Sequence, residues 1–336
     1  MTPKKIALLT DSSADLRWDQ ARENNIFFVP LRILCEDGEY LDGVNITGPD
    51  IYQRLHNGEL PQTSLPRVED FSAKLREIFD LGYDGVIAVM LSSGLSGTYN
   101  LARIVAEECR EQGRAMVAFD SLSGSLGLGM TVLQLAEDIR NGMGWEELTE
   151  RRVPQLIQNT YPFFTLDTLE YLQKGGRIGK VTALAGTMLQ IKPVLTFADD
   201  GQLQSIAKVR GRQQVMRKLV ELTVNRCGSH KRYNLAVANG GAQHQHDGDR
   251  SGEREDEEDG RFRGGGGAGR RGADRAGGEE AGDARADQLH GEGHPRDPQG
   301  AARDGELLAM ACLFITLRQS GMQQTDHSTQ KGVSVE

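Results

Sequence analysis

The residues best suited to hold a ligand form a serine- and glycine-rich stretch between an apolar run and an amphipathic helix. This stretch reads Leu91-Ser-Ser-Gly-Leu-Ser-Gly-Thr-Tyr99, and it follows the run Val86-Ile-Ala-Val89. Free backbone N–H groups and the helix dipole make a helix N-terminus a site for an anion. Ser96 adds a hydroxyl, and Gly97 would let a ligand approach the backbone closely. The alternative is that Ser96 only caps the helix and Gly94 only makes the turn.

Two further clusters offer groups that could contact an anion. In Pro61-Gln-Thr-Ser-Leu-Pro66, two flanking prolines hold the hydroxyls of Thr63 and Ser64 just before a helical pattern. The alternative here is again an N-cap. In Lys174-Gly-Gly-Arg-Ile-Gly-Lys180, glycines place Arg177 on a sharp turn, where it could meet a phosphate or an acidic partner. An ordinary solvated turn explains that pattern equally well.

A third hydroxyl cluster, Asp11-Ser-Ser-Ala-Asp15, follows the first apolar run of the chain. Ser12 and Asp15 have the Ser-x-x-Asp spacing of a capping box, so this cluster is predicted to begin a helix. We therefore predict no ligand contact for this cluster.

The sequence pairs no nucleophile with a base. The hydrolase signature Gly-x-Ser-x-Gly is absent, because Gly94-Leu-Ser-Gly97 has one residue too few. Of the seven histidines, only His56 and His230 precede residue 244. The loops are therefore typical of a binding protein that is not an enzyme and needs no cofactor or metal. The alternative is a hydrolase or phosphotransferase that uses the loop between Ser92 and Ser96 on a small anionic metabolite.

Strands and helices alternate in the first half of the chain and would position these loops. Short apolar runs predict buried strands at Ile6-Ala-Leu-Leu-Thr10, Ile26-Phe-Phe-Val29, Val86-Ile-Ala-Val89 and Met116-Val-Ala-Phe119. Apolar residues at helical spacing predict helices near residues 68–78, 101–109 and 128–139. This alternation predicts an α/β lobe over residues 1–155, with a mostly parallel sheet covered on both faces. Ligands of such sheets bind beyond the carboxyl ends of the strands.

The pattern changes after residue 155, which predicts a second, α+β lobe over residues 156–243. Asp199-Asp-Gly201 separates two apolar runs and has the signature of a β-hairpin. A helical stripe with Met216, Leu219 and Val220 follows, and then one further strand, Leu235-Ala-Val-Ala238. We expect this lobe to be incomplete, because its last strand has no neighbour in the pattern.

The composition of the last quarter differs from the rest of the chain. The protein has 336 residues, 38% of them hydrophobic, and a net charge of −9. Residues 244–306 contain 16 glycines, 10 arginines, 17 acidic residues and no lysine, and their large apolar residues are Phe262 and Leu289. Such a segment buries too little apolar surface to fold, so we predict disorder there. Residues 307–336 are left unassigned.

Charge and hydropathy exclude several classes of function. Residues 1–243 are close to neutral and have no basic footprint for nucleic acid. An RNA-binding tail around Arg261-Phe-Arg-Gly is a remote alternative, because residues 244–306 carry a net charge of −7. The longest apolar run, residues 307–317, is too short to span a bilayer. With no signal-peptide pattern and four scattered cysteines, the chain is predicted to be cytoplasmic.

Five motifs of residues 4–243 together resemble the DegV family of bacterial fatty-acid-binding proteins. In chain order they are Thr10-Asp-Ser-Ser-Ala-Asp-Leu16, Thr63-Ser-Leu-Pro66, Leu91-Ser-Ser-Gly-Leu-Ser-Gly-Thr-Tyr99, Lys174-Gly-Gly-Arg-Ile178 and Ile191-Lys-Pro193. The resemblance implies a two-lobed α/β protein that buries a long-chain fatty acid between its lobes. It also implies that the hydroxyls of Thr63 and Ser96 hold the carboxylate, with Ser64 and Gly97 beside them. A fatty acid kinase subunit would be the partner, and Arg177 would serve that step.

One departure from the family concerns the end of the chain. There, the family continues through another strand and helix to a His-Thr-Gly-Pro-Gly-like segment, whose histidine also reaches the carboxylate. His290-Gly-Glu-Gly-His294 and Asp326-His-Ser328 match it poorly. The apolar run of residues 307–317 is therefore expected to lack a structural partner.

We hypothesise that the reading frame has shifted near residues 241–246. The resemblance ends abruptly there, and Gly, Arg, Ala, Asp and Glu dominate the following residues, as a misread GC-rich gene would supply. No lysine occurs between Lys231 and Lys331. A genuine disordered extension is the alternative. If the frame has shifted, the second lobe should be half-built, and the chain should bind fatty acid poorly or aggregate.

Overall fold

The apolar runs and amphipathic patterns form three sheets with eight α-helices among the residues that the structure describes. The computed structural model describes residues 2–184, 191–228, 233–239 and 310–317. The helices are α1 (Trp18–Glu23), α2 (Gly48–His56), α3 (Val68–Asp80), α4 (Thr98–Glu111), α5 (Leu126–Arg140), α6 (Val153–Gln158), α7 (Glu170–Lys174) and α8 (Arg212–Cys227). The strands are β1 (Ile6–Asp11), β2 (Ile26–Val29), β3 (Arg32–Cys35), β4 (Gly38–Leu41), β5 (Gln62–Ser64), β6 (Gly85–Met90), β7 (Ala115–Asp120), β8 (Thr160–Leu166), β9 (Ile191–Phe197), β10 (Leu203–Arg210), β11 (Tyr233–Asn239) and β12 (Met310–Leu317).

The first sheet is parallel, with the strand order β2-β1-β6-β7. Its strands alternate between two cores, as a period of two requires. Leu8 and Ile87 belong to the core on the side of α5, whereas Leu9 and Ala88 belong to the core on the side of α3 and α4. Apolar residues therefore line both faces, which explains the continuous apolar runs. The predicted α/β fold class with a parallel sheet is confirmed.

A small antiparallel sheet, β4-β3-β5, was not predicted from the sequence. Its strands have only three or four residues and no long apolar run, and among them only β3 has buried residues. Ile33, Cys35 and Ile46 form a separate small core beneath it. This sheet carries Thr63 and Ser64, so it positions one of the predicted hydroxyl clusters.

The larger second sheet has five strands in the order β10-β9-β8-β12-β11, and its described neighbours are antiparallel. The hairpin predicted around Asp199-Asp-Gly201 is present as β9 and β10. One face of the sheet packs on α8 through Val215 and Leu219. The other face packs on α5 through Met130.

The expectation that residues 307–317 have no partner is wrong. Strand β12 lies between β8 and β11, with Leu313 opposite both Phe163 and Val237. Strand β11 is therefore also paired, and the second sheet has at this position the partner strand that the sequence pattern did not show. Strands pair with the strands that lie beside them in the folded protein. A strand can therefore join a sheet although its partners are distant in the sequence.

Helix α5 is buried on most of its circumference because it lies between the first and the second sheet. Leu128, Val132 and Leu135 face the first core, whereas Met130 faces the core of the second sheet. A β-carbon on Gly129 would lie 2.4 Å from the carbonyl oxygen of Ala14, so only glycine permits this approach. The helix thus holds both sheets in one packed unit.

Several sequence predictions fall on other parts of the chain. The predicted disordered segment, residues 244–306, and the proposed RNA-binding stretch lie outside the described residues. The predicted boundary between residues 155 and 156 falls within α6, and the division into domains stays a prediction. Among the described residues, no helix is both long and apolar enough to cross a membrane.

Candidate ligand-binding site

The serine- and glycine-rich loop that follows β6 is held by two aspartates, which lie at the carboxyl ends of the strands on either side of β6. The N–H of Leu91 donates to Asp11 Oδ2 at 2.7 Å. The N–H of Ser93 donates to Asp120 Oδ1 at 3.1 Å, and Asp120 also accepts from the N–H of Leu122 at 3.0 Å. Since β1, β6 and β7 are parallel neighbours, their loops meet at one edge of the sheet.

Asp11 is fully buried, and this burial raises the pKa of its carboxyl group against opposing hydrogen bonds from Leu91 and Ser13. It caps a 3₁₀ turn by accepting from the N–H of Ser13 at 3.0 Å. The prediction that Ser12 and Asp15 form a capping box is therefore wrong. Ser12 Oγ accepts instead from the N–H of Leu31 at 3.0 Å, because the turn begins one residue earlier than the spacing suggested.

Ser92 is completely buried, and each of its polar groups is hydrogen-bonded. Its N–H donates to the carbonyl of Ser123 at 2.9 Å, and its carbonyl accepts from the N–H groups of Leu95 and Ser96 at 3.0 and 3.1 Å. Its hydroxyl donates to the carbonyl of Gly201 at 2.7 Å. A backbone carbonyl does not act as a general base, so this geometry disfavours Ser92 as a nucleophile.

Ser96 lies in front of α4 rather than at its N-cap, which is Gly97. Ser96 Oγ is 2.8 Å from the hydroxyl oxygen of Thr98 and accepts a long hydrogen bond of 3.3 Å from the N–H of Thr98. The capping alternative thus explains only part of its role. The first N–H groups of an α-helix have no acceptor within the helix, so this end of α4 offers donors beside the Ser96 hydroxyl.

Thr63 and Ser64 are exposed residues of β5 and do not cap a helix. In the register with β3, Thr63 lies opposite Ile33. Helix α3 begins after Arg67, whose N–H donates to Asp70 at 2.8 Å. The N-cap alternative for the two hydroxyls is therefore wrong, because the chain still has to pass Pro66 before the helix can start.

Leu65 brings the β5 strand next to the loop before α4. A β-carbon on Gly97 would lie 3.6 Å from Leu65 Cδ2, which is ordinary van der Waals contact. The structure thus brings the segment that carries Thr63 and Ser64 next to the loop of Ser96 and Gly97.

Arg177 lies on the turn that the sequence predicts. Gly176 has a φ of +71°, and the N–H of Arg177 donates to the carbonyl of Leu172 at 2.8 Å, which ends α7. The guanidinium Nε donates to the carbonyl of Leu95 at 3.3 Å, and another guanidinium nitrogen donates to Gly175. The side chain is exposed. Arg177 therefore stands at the outer side of the loop that carries Ser96.

Apolar residues surround the inner side of the same loop. Leu95 and Ile178 are partly buried against a cluster that also contains Met130 of α5 and Leu195 of the second sheet. Phe197 lies against this cluster, and its ring is 6.2 Å from that of Phe164. Polar donors and apolar side chains therefore adjoin one another at the edge of the first sheet.

A second polar cluster lies elsewhere, beside β3 and β4. Ligand atoms of Cys35, Asp37 and Glu59 lie within 4.8 Å of one another. Arg54 forms ion pairs with Asp37 at 2.8 Å and with Glu59 at 3.0 Å. The guanidinium group thus pairs with both carboxylates, and the cluster is explained as an ion-pair network.

Sequence reasoning missed the residues that hold the site from a distance. Asp11 lies 80 positions from Leu91, and Gly201 lies 109 positions from Ser92. No local pattern relates such residues. The signal that was available is the position of Asp11 and Asp120 directly after buried strands, where the loops of a parallel sheet converge.

The family model that matches residues 5–259 is that of the DegV family, described as uncharacterised proteins. A DegV domain-containing protein of Clostridium perfringens is 38% identical over 242 residues, which are 72% of this chain and 84% of the relative. The chain belongs to the DegV family. The match extends 16 residues beyond the resemblance predicted from the motifs, which ended at residue 243.

Solved structures of DegV proteins are similar to this chain in fold. The fatty-acid-binding DegV protein of Thermus thermophilus has a TM-score of 0.64 and 32% identity, and the match covers 69% of this chain and 81% of that one. DegV of Bacillus subtilis, described as a fatty acid binding protein, has a TM-score of 0.64 and 28% identity, with 71% and 84% covered. A stearic-acid-binding protein of Eubacterium ventriosum has a TM-score of 0.63 and 26% identity, with 69% and 80% covered.

Proposed function

We propose that this DegV protein binds a long-chain fatty acid as a carrier and performs no chemistry on it. The observation that carries the proposal is that Leu65, two residues after Thr63, lies next to the loop of Ser96 and Gly97, beside an apolar cluster that extends to the second sheet. Hydroxyls and free helix N–H groups suit a carboxylate. The apolar residues suit an acyl chain. Fatty acids bound by several solved DegV structures support the same ligand class.

The hydrolase or phosphotransferase alternative has less support. It needs a nucleophile in the loop between Ser92 and Ser96, together with a group that takes its proton. The Ser92 hydroxyl is buried and donates to a carbonyl, and Ser96 contacts Thr98. Lipid extracted from the purified protein and identified by mass spectrometry separates the two functions. Acyl chains support the carrier, whereas phosphorylated metabolites without acyl chains would contradict it.

Substitution of Thr63 and Ser96, the two residues whose hydroxyls are predicted to bind the carboxylate, tests where the carboxylate is held. Thr63→Ala and Ser96→Ala should each weaken stearate binding by about tenfold or more, because a hydrogen bond to a charged group contributes about 1.5–3 kcal/mol. Isothermal titration with stearate, after removal of bound lipid, measures the effect.

A neighbouring serine provides a matched control for these variants. Ser93 is an exposed loop residue, and its N–H donates to Asp120. Ser93→Ala should change the affinity by about twofold at most, as surface substitutions do. If Thr63→Ala and Ser96→Ala leave the affinity unchanged while the unsubstituted protein binds stearate, the carboxylate is held elsewhere.

We further propose that the carrier presents its fatty acid to a fatty acid kinase subunit and that Arg177 serves this step. The exposed guanidinium lies outside the loop of Ser96, where it could meet a phosphate or an acidic partner surface. Arg177→Ala should leave the stearate affinity unchanged and reduce phosphorylation of the bound acid when the kinase subunit and ATP are added. Lys174→Ala, on the same turn, is the control for a general loss of positive charge.

Loss of stearate binding in Arg177→Ala would contradict this role. It would place the guanidinium in the lipid site rather than at the partner surface. Unchanged phosphorylation would show that the kinase subunit docks on another face of the protein.

A further inference from the structure

The first and the second sheet approach each other closely at the loop that carries Ser96. The turn between β9 and β10 reaches this loop, and the Ser92 hydroxyl donates to the carbonyl of Gly201 at 2.7 Å. A β-carbon on Gly94 would lie only 2.3 Å from the carbonyl carbon of Gly201. A β-carbon on Gly201 would lie 2.1 Å from Ser92 Oγ. The two backbones therefore touch because neither glycine carries a side chain.

The turn that makes this contact is itself well ordered by hydrogen bonds. The N–H of Ala198 donates to the carbonyl of Gln202, and the N–H of Gly201 donates to the carbonyl of Ala198, both at 2.8 Å. Gly201 has a φ of +74°, which favours glycine. The turn is therefore held by its own hydrogen bonds as well as by its contact with the loop.

We propose that Ser92 is a positioning residue that fastens the second sheet over the fatty acid site. The Ser92 clasp is the contact of Ser92 and Gly94 with Gly201. The same residue controls Ser96, because its carbonyl accepts from the N–H groups of Leu95 and Ser96. When the clasp opens, the turn between β9 and β10 is thus no longer held against the loop. The Ser96 hydroxyl, which would hold the carboxylate, is then less well positioned. We infer that release of the fatty acid requires this opening, and this inference rests on the proposed function.

The turn between β9 and β10 also forms an ion pair with a third segment. Lys180 forms an ion pair with Asp200 of the same turn at 2.7 Å, but both side chains are about half exposed. Exposed ion pairs contribute little because water screens them. The buried hydroxyl of Ser92 is therefore the polar group whose loss should matter most at this contact.

Two substitutions test the clasp by independent routes. Ser92→Ala removes the hydrogen-bond donor, and Gly94→Ala places a methyl group where the Gly201 backbone lies. Their matched controls are Ser93→Ala on the exposed neighbour and Gly144→Ala, where a β-carbon would meet open space. Ser92→Cys keeps a weak donor and should give an intermediate effect.

The first measurement is hydrogen–deuterium exchange of the lipid-free protein. Ser92→Ala and Gly94→Ala should speed exchange of the amides of Leu95, Ser96, Ala198 and Gly201 by about tenfold, the effect expected for loss of one buried hydrogen bond. The amides of β6 should exchange as in the unsubstituted protein. The second measurement is the transfer of a fluorescent stearate analogue to phosphatidylcholine vesicles, which should be about tenfold faster.

The outcomes separate the clasp from the proposed function. If the unsubstituted protein does not bind the stearate analogue, the proposed function fails, and the claim about release fails with it. The exchange data then decide alone whether the clasp exists. If exchange rises equally in β6, Ser92 only stabilises the first sheet, and the proposal is overturned. Unchanged exchange in the turn or unchanged transfer by a binding-competent protein would also overturn it. If Ser92→Ala does not fold, Gly94→Ala and Ser92→Cys carry the test.

Discussion

At the scale of single residues, desolvation determines the direction in which the pKa shifts for two aspartates, Asp11 at the end of β1 and Asp15 in the turn after it. Burial raises the pKa of the Asp11 carboxyl, and it raises that of Asp15 to about 6 although Ser125 donates a hydrogen bond to Asp15. A carboxyl with a raised pKa is more easily protonated in the folded protein than in the unfolded chain. Its ionisation therefore lowers the free energy of unfolding as the pH rises.

Asp15→Asn should stabilise the protein at pH 7 and have little effect at pH 4. Below the ordinary carboxyl pKa of 3.8 Asp15 is neutral in both states, and the destabilisation develops as the pH rises to about 6. Asparagine also tolerates the φ of +50° at this position. Urea unfolding of both proteins between pH 4 and 7 measures the difference. Part of the residue is exposed, so water screening reduces the gain.

Asp19→Asn is the control with the opposite sign. The hydrogen bond from Arg17 lowers the pKa of the Asp19 carboxyl, so its ionised form favours the folded state. Removing that charge should destabilise the protein slightly as the pH rises. If both variants change stability in the same direction between pH 4 and 7, burial does not determine the pKa of the Asp15 carboxyl.

The residue types at the site could be predicted from the sequence, but their partners could not. Thr63, Ser96 and Arg177 stand out as hydroxyls or a cation flanked by glycine or proline, and the structure brings their loops together. The roles of Ser92 and Asp11 depend on contacts across 80 or more positions of the chain. Such contacts follow from the order of strands in a sheet, which local spacing does not encode.

At the scale of elements, β12 is the strand on which the second sheet depends. It pairs with β8 on one side and β11 on the other, so its backbone groups bond in both directions. If it detached, β8 and β11 would each present an open edge to solvent. Exposed edges are sites of aggregation. The stability of the second sheet should therefore depend on backbone hydrogen bonds of β12.

Leu313→Pro should open the second sheet and leave the first sheet folded. Proline removes an N–H from the hydrogen-bond ladder and is confined to edge strands or bulges, so it should destabilise this central strand. Leu313→Val keeps the N–H and is the matched control. Hydrogen–deuterium exchange should rise in β8 and β11 but not in β1 or β6. Equal protection in the proline and valine variants would show that β12 is not in the sheet in solution.

Elements with long apolar runs were predictable, and short or displaced ones were not. The predicted strand at residues 26–29 agrees with β2 to the residue, and β6 and β7 each extend one residue beyond the predicted ends. Strands β3, β4 and β5 were missed because three or four residues, most of them not buried, give no distinct apolar period. Strand β12 has a clear apolar run, but its neighbours in space precede it by some 75 to 150 positions.

At the scale of the whole molecule, β11 and β12 are paired in the second sheet but lie far apart in the chain. Residues 240–309 lie between these two strands. The segment from residue 244 to 306 has a composition unlike that of the strands on either side of it, with Phe262 and Leu289 as its large apolar residues. A family model nevertheless matches as far as residue 259. In the sequence, the segment of unusual composition thus lies between two strands of the second sheet and not after the last of them.

This arrangement sharpens the hypothesis of a shifted reading frame. A single shift near residues 241–246 would alter everything downstream, but β12 pairs in register with both neighbours over seven or more residues. We therefore predict two compensating shifts, one near residues 241–246 and one before Met310. Between them, another frame of the gene should encode an amphipathic helix and the His-Thr-Gly-Pro-Gly-like segment that the family resemblance implies.

Resequencing the gene decides the matter, and a corrected chain gives a functional check. With both shifts restored, the protein should bind stearate more tightly, because the added histidine would reach the carboxylate and the new helix would cover apolar surface. The chain with the present sequence is the control in the same titration. If neither other frame encodes such a segment, residues 244–306 are genuine protein. An acidic insertion between two paired strands must then be tolerated because loop closure costs only about 0.6 kcal/mol for each doubling of loop length.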